Sequence, residues 1–373
     1  LLKPNISTIV GQLYAPGDAK RDAGFSIFYM GINLGALIAP LITSPIANYN
    51  WHLGFGIAGV GMVLGLIQYK LTSKNLIGLG EVPVAATEEE RESTKKLKKR
   101  TSYIGSVILL LLVLMFAGVI ELNVTAIANA SGIIIAVVAF SYLGYVILFG
   151  GLSDSDRKKV GAIGILFIFS AIFWSGFEQA GSTLNLFAER FTDRTMFGVE
   201  IPSGVFQSVN AGFIVLFAPF FGAMWIWMAR KNFEPSSPIK FFFALVLVAG
   251  GFFVMYFAAK IAASGEIAAP TWLIFTYLFH TWGELSLSPV GLSLTTKLSP
   301  KAYQGQMMGI WFLSVSLGNL LAGLIAGEAS GGDAEALANM PSQYMTIVLT
   351  TLGAALLLLA FHKPIRKLMG DVH

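Results

Sequence analysis

Ten runs of apolar residues recur along the chain, near 23–47, 51–69, 103–122, 131–150, 160–188, 204–229, 239–263, 270–296, 305–327 and 343–362. A helix rising 1.5 Å per residue needs roughly 20 residues to cross a bilayer, and runs of this length supply them. Strands of a membrane barrel would carry a polar residue at every second position, and these runs do not. The pattern therefore predicts an all-α membrane protein. Within the runs, Gly31, Gly35 and Ala39 recur every four residues, as do Gly318 with Ala322 and Gly323 with Gly327. Such small residues are expected to let helix backbones approach closely. Pro40, Pro219 and Pro289 interrupt their runs, and Pro289 is expected to free the Leu285 carbonyl and bend its helix.

Composition agrees with that pattern. The 373 residues are 55% hydrophobic and 12% charged, against roughly 25% charged in an ordinary soluble domain. The mean hydropathy is +0.70. A net charge of +4 could suggest a nucleic-acid partner, but the positions of the positive residues say otherwise. When loops are assigned alternately to two sides, 21 of the 25 basic residues fall on one side, from Lys20 and Arg21 through Lys70–Arg100 to Lys367. The other side holds Arg190, Arg194 and Lys260, and Lys3 lies within an apolar stretch. The positive-inside rule puts the basic side in the cytoplasm and orients all ten crossings.

Cysteine is absent, which removes disulfides and thiolate chemistry, and the four histidines have no metal-site spacing. The opening, LLKPNIST, lacks the basic segment and short apolar core of a signal peptide. Leu1 to Val10 reads instead as the cytoplasmic half of a helix whose earlier half precedes this sequence. Thr72 to Ser102, containing EEERESTKKLKKR, has mixed charge and no apolar stripe, and is expected to be a solvated cytoplasmic linker. The two runs after it have no ionisable residue before Glu121 and are expected to be peripheral.

Ionisable groups at membrane depth cost about 2.5–3.5 kcal/mol on insertion scales, so each asks for a reason. Lys3, Glu178, His280 and Glu284 are in this position. Two acids and a lysine can neutralise one another, with one proton deciding which pair forms. A fixed ion pair between helices is the structural alternative. His280 lies one turn before Glu284 on nearly the same face, where hydrogen-bonded packing is expected ahead of a proton relay. Tyr29 shares a face with Asn33, and Glu284 with Ser288, offering hydrogen bonds to a polar ligand. Trp174 and Trp311 suit either packing or the wall of a pocket.

The segments LLKPNIST at 1–8, FYMGINLGAL at 28–37, FWSGFEQAGST at 173–183, QSVNAGF at 207–213 and GELSLSPVGLS at 283–293 resemble signature segments of the proton-dependent oligopeptide transporter (POT) family of the major facilitator superfamily. The resemblance runs from end to end of the chain. It implies twelve core helices plus two extra ones in a bacterial-type member, of which about ten and a half spans are present. The implied organisation is the remainder of the N-terminal six-helix bundle at 1–71, a linker at 72–102, two extra helices at 103–150 and the C-terminal bundle at 151–373. The implied setting is a bacterial inner membrane, with lipid around a functional monomer and no nucleic-acid partner.

Residue roles follow from the same resemblance. Lys3 is implied near the proton and peptide-carboxylate site, and Glu284 as the acid that receives the peptide amino terminus and can pair with Lys3. Glu178 is implied as a gating acid, counted with Lys3 and Glu284 among the proton-coupling salt-bridge residues and among the peptide-binding ones. Asn33 and Asn210 would contact the peptide backbone, and Tyr29, Ser288, Trp174 and Trp311 would line the pocket. Phe177 departs from members with a second acid there, which puts proton stoichiometry or side-chain preference in doubt. The implied function is proton-coupled import of di- and tripeptides by alternating access, with protons as the coupling ion and no cofactor. A carrier of nitrate or another small solute is the neighbouring alternative, although an anion carrier has less use for Glu284. An intramembrane enzyme would need a nucleophile with its base or a metal cluster, and no HExxH, cysteine or GxSxG constellation occurs. A purely structural protein would leave the intramembrane charges idle.

Overall fold

The computed structural model of the chain describes residues 20–78, 88–119, 123–196, 198–328 and 333–370, with Ile6, Ile9, Val10 and Leu13 ahead of them. Lys3 lies outside the described residues. The long helices are α1 (Lys20–Tyr49), α2 (Trp51–Thr72), α3 (Glu88–Phe116), α4 (Val124–Phe149), α5 (Asp154–Phe177), α6 (Thr183–Phe191), α7 (Gln207–Arg230), α8 (Ser237–Ala263), α9 (Thr271–Leu298), α10 (Gln304–Glu328) and α11 (Asp333–Met369). α5 and α6 form one interrupted crossing, so these helices account for the ten apolar runs.

Local chemistry sets several boundaries. Asn50 ends α1 and caps α2 by accepting from the His52 and Leu53 amides, while Ser153 caps α5 ahead of Asp154 and Asp156, whose charge suits a helix N-terminus. At the turn between α7 and α8, Lys240 is buried but pairs with Glu234 at 2.5 Å and lies over the Trp225 ring. On the opposite side, a two-residue hairpin pairs Thr195–Met196 with Val199–Glu200. Arg194 braces it by an ion pair to Glu200 at 2.8 Å.

Nine spans among the described residues are long and apolar enough to cross a membrane. α9 is equally long but less apolar, because it carries His280, Thr281, Glu284, Ser286 and Ser288. Most of these polar positions face inward: His280, Thr281 and Ser286 are buried. α9 runs helical through Pro289.

The dense core lies in the later half of the chain. α8 packs along α11 and α9, while α5 packs along α10 and α11. Tyr277, Tyr344, Phe167, Phe173, Phe241 and Phe252 are among its largest fully buried side chains. α1 and α2 pair with each other, and α1 also packs on α7. The Ser208 hydroxyl donates to the Leu37 carbonyl at 2.8 Å, joining α7 to α1 across the two halves.

The small-residue stripes divide in two. Gly318 is pressed against Trp174 and the α5 backbone at Ala171 and Ser175, so a larger residue there would collide. At Gly31, Gly35, Gly323 and Gly327, an added Cβ would meet no described atom within 4 Å. The polar segment also differs from a simple connector: helix begins at Glu88 and continues unbroken into the membrane run. Residues 88–104 contain no proline or glycine, and acids precede bases in the order that favours a helix N-terminus.

Candidate functional site

The crossing formed by α5 and α6 is broken at membrane depth. α5 ends at Phe177, Glu178–Gly181 forms a 3-10 turn, and Ser182 leaves helical geometry at φ −126 and ψ −97. A break in lipid demands internal partners for the freed backbone groups. Gln179, fully buried, supplies one of them and ties the turn to its neighbours. Its amide nitrogen donates to the carbonyls of Ser175 and, across to α10, Ala322, both at 3.2 Å. Its oxygen accepts from the hydroxyls of Ser182 at 3.1 Å and Thr183 at 2.9 Å. The Tyr344 hydroxyl of α11 then donates to the Thr183 carbonyl at 3.4 Å. Glu178 is therefore held, half-buried, at the start of a turn fixed to two neighbouring helices.

A second cluster joins α1, α7 and α9. The Asn210 side-chain nitrogen donates to Thr281 Oγ1 at 2.9 Å and lies 3.4 Å from Glu284 Oε2. Thr281 in turn donates to the Tyr277 carbonyl one turn earlier at 2.7 Å. From α1, the Tyr29 side chain adjoins both Glu284 and Asn33, although its buried hydroxyl is not aligned for a hydrogen bond with either. Asn33 is itself buried and donates to the Tyr29 carbonyl at 2.9 Å. Tyr29, Asn33, Asn210 and Glu284 are thus brought together from both halves of the chain. Thr281, three residues before Glu284 on the same helix, was not singled out in the sequence, and only that spacing signalled it.

The other candidates lie in different surroundings. Trp174 packs edge-on to Phe173 and Phe177, and its indole nitrogen is buried without a hydrogen bond among the described residues. The Ser288 hydroxyl, one turn beyond Glu284, is also buried and makes none there. Trp311 is buried between Phe241 and the backbone of Gly291. His280 is buried between the rings of Phe177 and Phe252, against Gly251, and neither ring nitrogen has a hydrogen bond among the described residues. Gln179, though inside a signature segment, had no role assigned to it before the structure. Its position immediately after Glu178 was the available signal.

This architecture, a bundle of membrane-crossing helices with buried polar groups gathered between its halves, defines a polytopic transporter of the major facilitator kind. A model of the POT family matches residues 1–342, and the chain belongs to that family. It is 39% identical to the peptide transporter YePEPT of Yersinia enterocolitica, an alignment covering 100% of this chain and 73% of that protein. It is 31% identical to a di-/tripeptide transporter of Lactococcus lactis, covering 100% of this chain and 74% of the relative. Among solved structures, a peptide transporter POT in complex with alafosfalin superposes with a TM-score of 0.84 at 35% identity, covering 100% of this chain and 73% of that one. A POT family transporter in complex with 5-aminolevulinic acid gives 0.84 at 32% identity, covering 98% of this chain and 74% of that one. The chain is a multi-pass integral membrane protein of a transporter family.

Proposed function

We propose that this chain is the larger part of a proton-coupled symporter that imports di- and tripeptides by alternating access. The observation that carries the reading is the cluster of Tyr29, Asn33, Asn210 and Glu284, a carboxylate and two amides held between helices of the two halves. A zwitterionic peptide needs an anion for its amine and neutral hydrogen-bonding groups for its backbone, and this cluster supplies both. Amides that bind a backbone do not read side chains, which suits a broad range of sequences. Lys3 takes the peptide carboxylate and is the alternative partner of Glu284; Glu178 acts in gating; Trp174, Ser288 and Trp311 shape the pocket.

Residues 1–71 belong to the N-terminal bundle, 103–150 to an added helix pair and 151–373 to the C-terminal bundle, joined by the linker at 72–102. The protein works as a monomer in the inner membrane of a bacterium, uses protons as its coupling ion and has no enzymatic step. The membrane potential supplies about 2.3 kcal/mol per charge per 100 mV, so inward proton flow can drive uptake of a peptide without net charge. The test is reconstitution of the full-length protein in liposomes. An imposed inward proton gradient should concentrate labelled dipeptide, and unlabelled di- and tripeptides should compete while nitrate should not. Competition by nitrate instead would replace the peptide reading.

A further inference from the structure

α3 is the barest crossing among the described residues, with α1 and α2 next at 6% buried. Of its apolar stretch between Thr94 and Phe116, 0% is buried against the described residues. Leu109, Leu110, Leu111 and Leu112 are all exposed. Four successive residues stand about 100° apart around a helix, so the bare surface covers the whole circumference. A partner helix would cover one stripe of it, whereas lipid surrounds it on every side.

The same helix continues without interruption beyond the apolar run toward the cytoplasmic linker. Within the first turns of that span, ahead of its apolar residues from Ile104 to Phe116, stand Lys95, Lys96, Lys98, Lys99 and Arg100, all exposed. Arg91 is set apart from this group by its ion pair with Glu88 at 3.2 Å. The charges are segregated along the axis: Glu88, Glu89, Glu90 and Glu92 occupy the far end, and the five bases occupy the end next to the membrane. From Glu88 to Lys98 the helix rises about 15 Å, beyond the roughly 8 Å screening length of physiological salt. Glu92, one turn from Lys96, lies within that length, so a charged surface at the base of α3 meets five positive charges offset mainly by this one acid.

We propose that Lys95, Lys96, Lys98, Lys99 and Arg100 form a collar that binds anionic phospholipid headgroups of the cytoplasmic leaflet. α3 then anchors the linker between the two six-helix halves to the membrane surface, by a lipid-immersed stem and an ionic collar on one continuous helix. Each basic residue near an anionic surface is worth roughly a fivefold gain in partitioning, so five of them suffice to enrich such lipids locally.

The chain contains no cysteine, so once any cysteine in the rest of the full-length protein is replaced by Ser, a single fluorophore can be placed by Thr101→Cys. The labelled transporter is reconstituted in phosphatidylcholine vesicles that contain equal small fractions of nitroxide-headgroup phosphatidylglycerol or nitroxide-headgroup phosphatidylcholine as quenchers. Quenching by the phosphatidylglycerol probe should exceed that by the phosphatidylcholine probe at least fivefold. High salt should abolish the excess in the unaltered chain, which tests the ionic collar without risk to folding. Replacing all five bases by Gln should abolish it too, while Lys363→Gln with Arg366→Gln and Lys367→Gln should leave it intact. Soluble glycerol phosphate at the same headgroup concentration should not compete, because the site belongs to a lipid surface. Equal quenching by the two probes in the unaltered chain, or an excess that survives high salt or loss of the five bases, overturns the proposal. So does equal loss in the control variant or displacement by soluble glycerol phosphate.

Discussion

The side-chain nitrogen of Asn210 bridges two groups of α9, donating to Thr281 Oγ1 at 2.9 Å and standing 3.4 Å from Glu284 Oε2. One amide thus ties α7 to the acid of α9, and Tyr29 of α1 completes the enclosure from the other half. Any ligand that draws on Glu284 must compete with, or add to, this arrangement.

Asn210→Ala removes a donor from Glu284 and an amide that a peptide backbone would use. One hydrogen bond is worth about 0.5–1.5 kcal/mol net, so the apparent KM for dipeptides should rise roughly threefold to tenfold, alike for many sequences. Asn33→Ala should act in the same direction but less strongly, since the Asn33 amide nitrogen already donates to its own helix at the Tyr29 carbonyl. Uptake of a dipeptide panel measures both, and unchanged KM values in the two variants would remove them from the pocket.

Gln179→Leu keeps the approximate volume but removes the side-chain donor to the Ala322 carbonyl and the side-chain acceptor of the Ser182 and Thr183 hydroxyls, leaving Ser182 only the residue-179 carbonyl at 3.5 Å. A buried polar group left unpaired costs about 1–3 kcal/mol, so thermal unfolding in detergent should shift down by several degrees. Driven transport should fall as well, because Glu178 loses the turn that fixes it. An unchanged Tm would mean that the break is held by packing alone.

Gly291 is pressed so closely by the indole of Trp311 that even a methyl group would overlap the ring. Trp311 is buried against Phe241 and has little freedom to withdraw. Gly291→Ala should therefore destabilise the bundle by about 1–3 kcal/mol. Adding Trp311→Phe, which shortens the ring, should recover part of that loss. Unfolding of the single and double variants tests the pair, and additive destabilisation would show that the two sites do not share this contact.

Ten apolar runs were legible because bilayer thickness imposes a length that composition alone reveals. α9 was among them although its polar residues make it less apolar than its neighbours; burial of His280, Thr281 and Ser286 is the compensation, and burial is a tertiary property. The break at Glu178–Ser182 was not legible: its residues are polar, but polar residues also occur in the unbroken helix α9, and hydropathy does not register backbone geometry. Its trace was Gln179, a polar residue with no need of its own in lipid. Helix at Glu88–Ser102 was likewise missed, because a segment without an apolar face gives no periodic signal. For the site, its charge at membrane depth placed Glu284 as a candidate and the family resemblance of QSVNAGF placed Asn210, but only the fold joins residues 71 and 74 positions apart. Whether a tryptophan packs or lines a pocket depends on its neighbours, as the enclosure of Trp311 illustrates.

Glu284 has more than one possible partner at a depth where an isolated carboxylate costs several kcal/mol. Asn210 can satisfy it in part, a peptide amine can neutralise it, and Lys3 is the further cation our reading assigns to it. The proton it carries then depends on which partner is present, which makes it a candidate coupling group. Glu284→Gln retains an oxygen that can accept from Asn210, so the local geometry should survive while the proton exchange does not. Gradient-driven accumulation of peptide should therefore be lost. Counterflow, which exchanges labelled for unlabelled peptide without net proton movement, should be impaired less, with a higher peptide concentration needed because the amine has lost its anion. Both assays belong in the same liposomes, with and without an inward proton gradient, using the full-length protein. If the glutamine variant concentrates peptide to the level of the unaltered protein, coupling does not pass through Glu284, and Glu178 at the broken crossing becomes the acid to replace next.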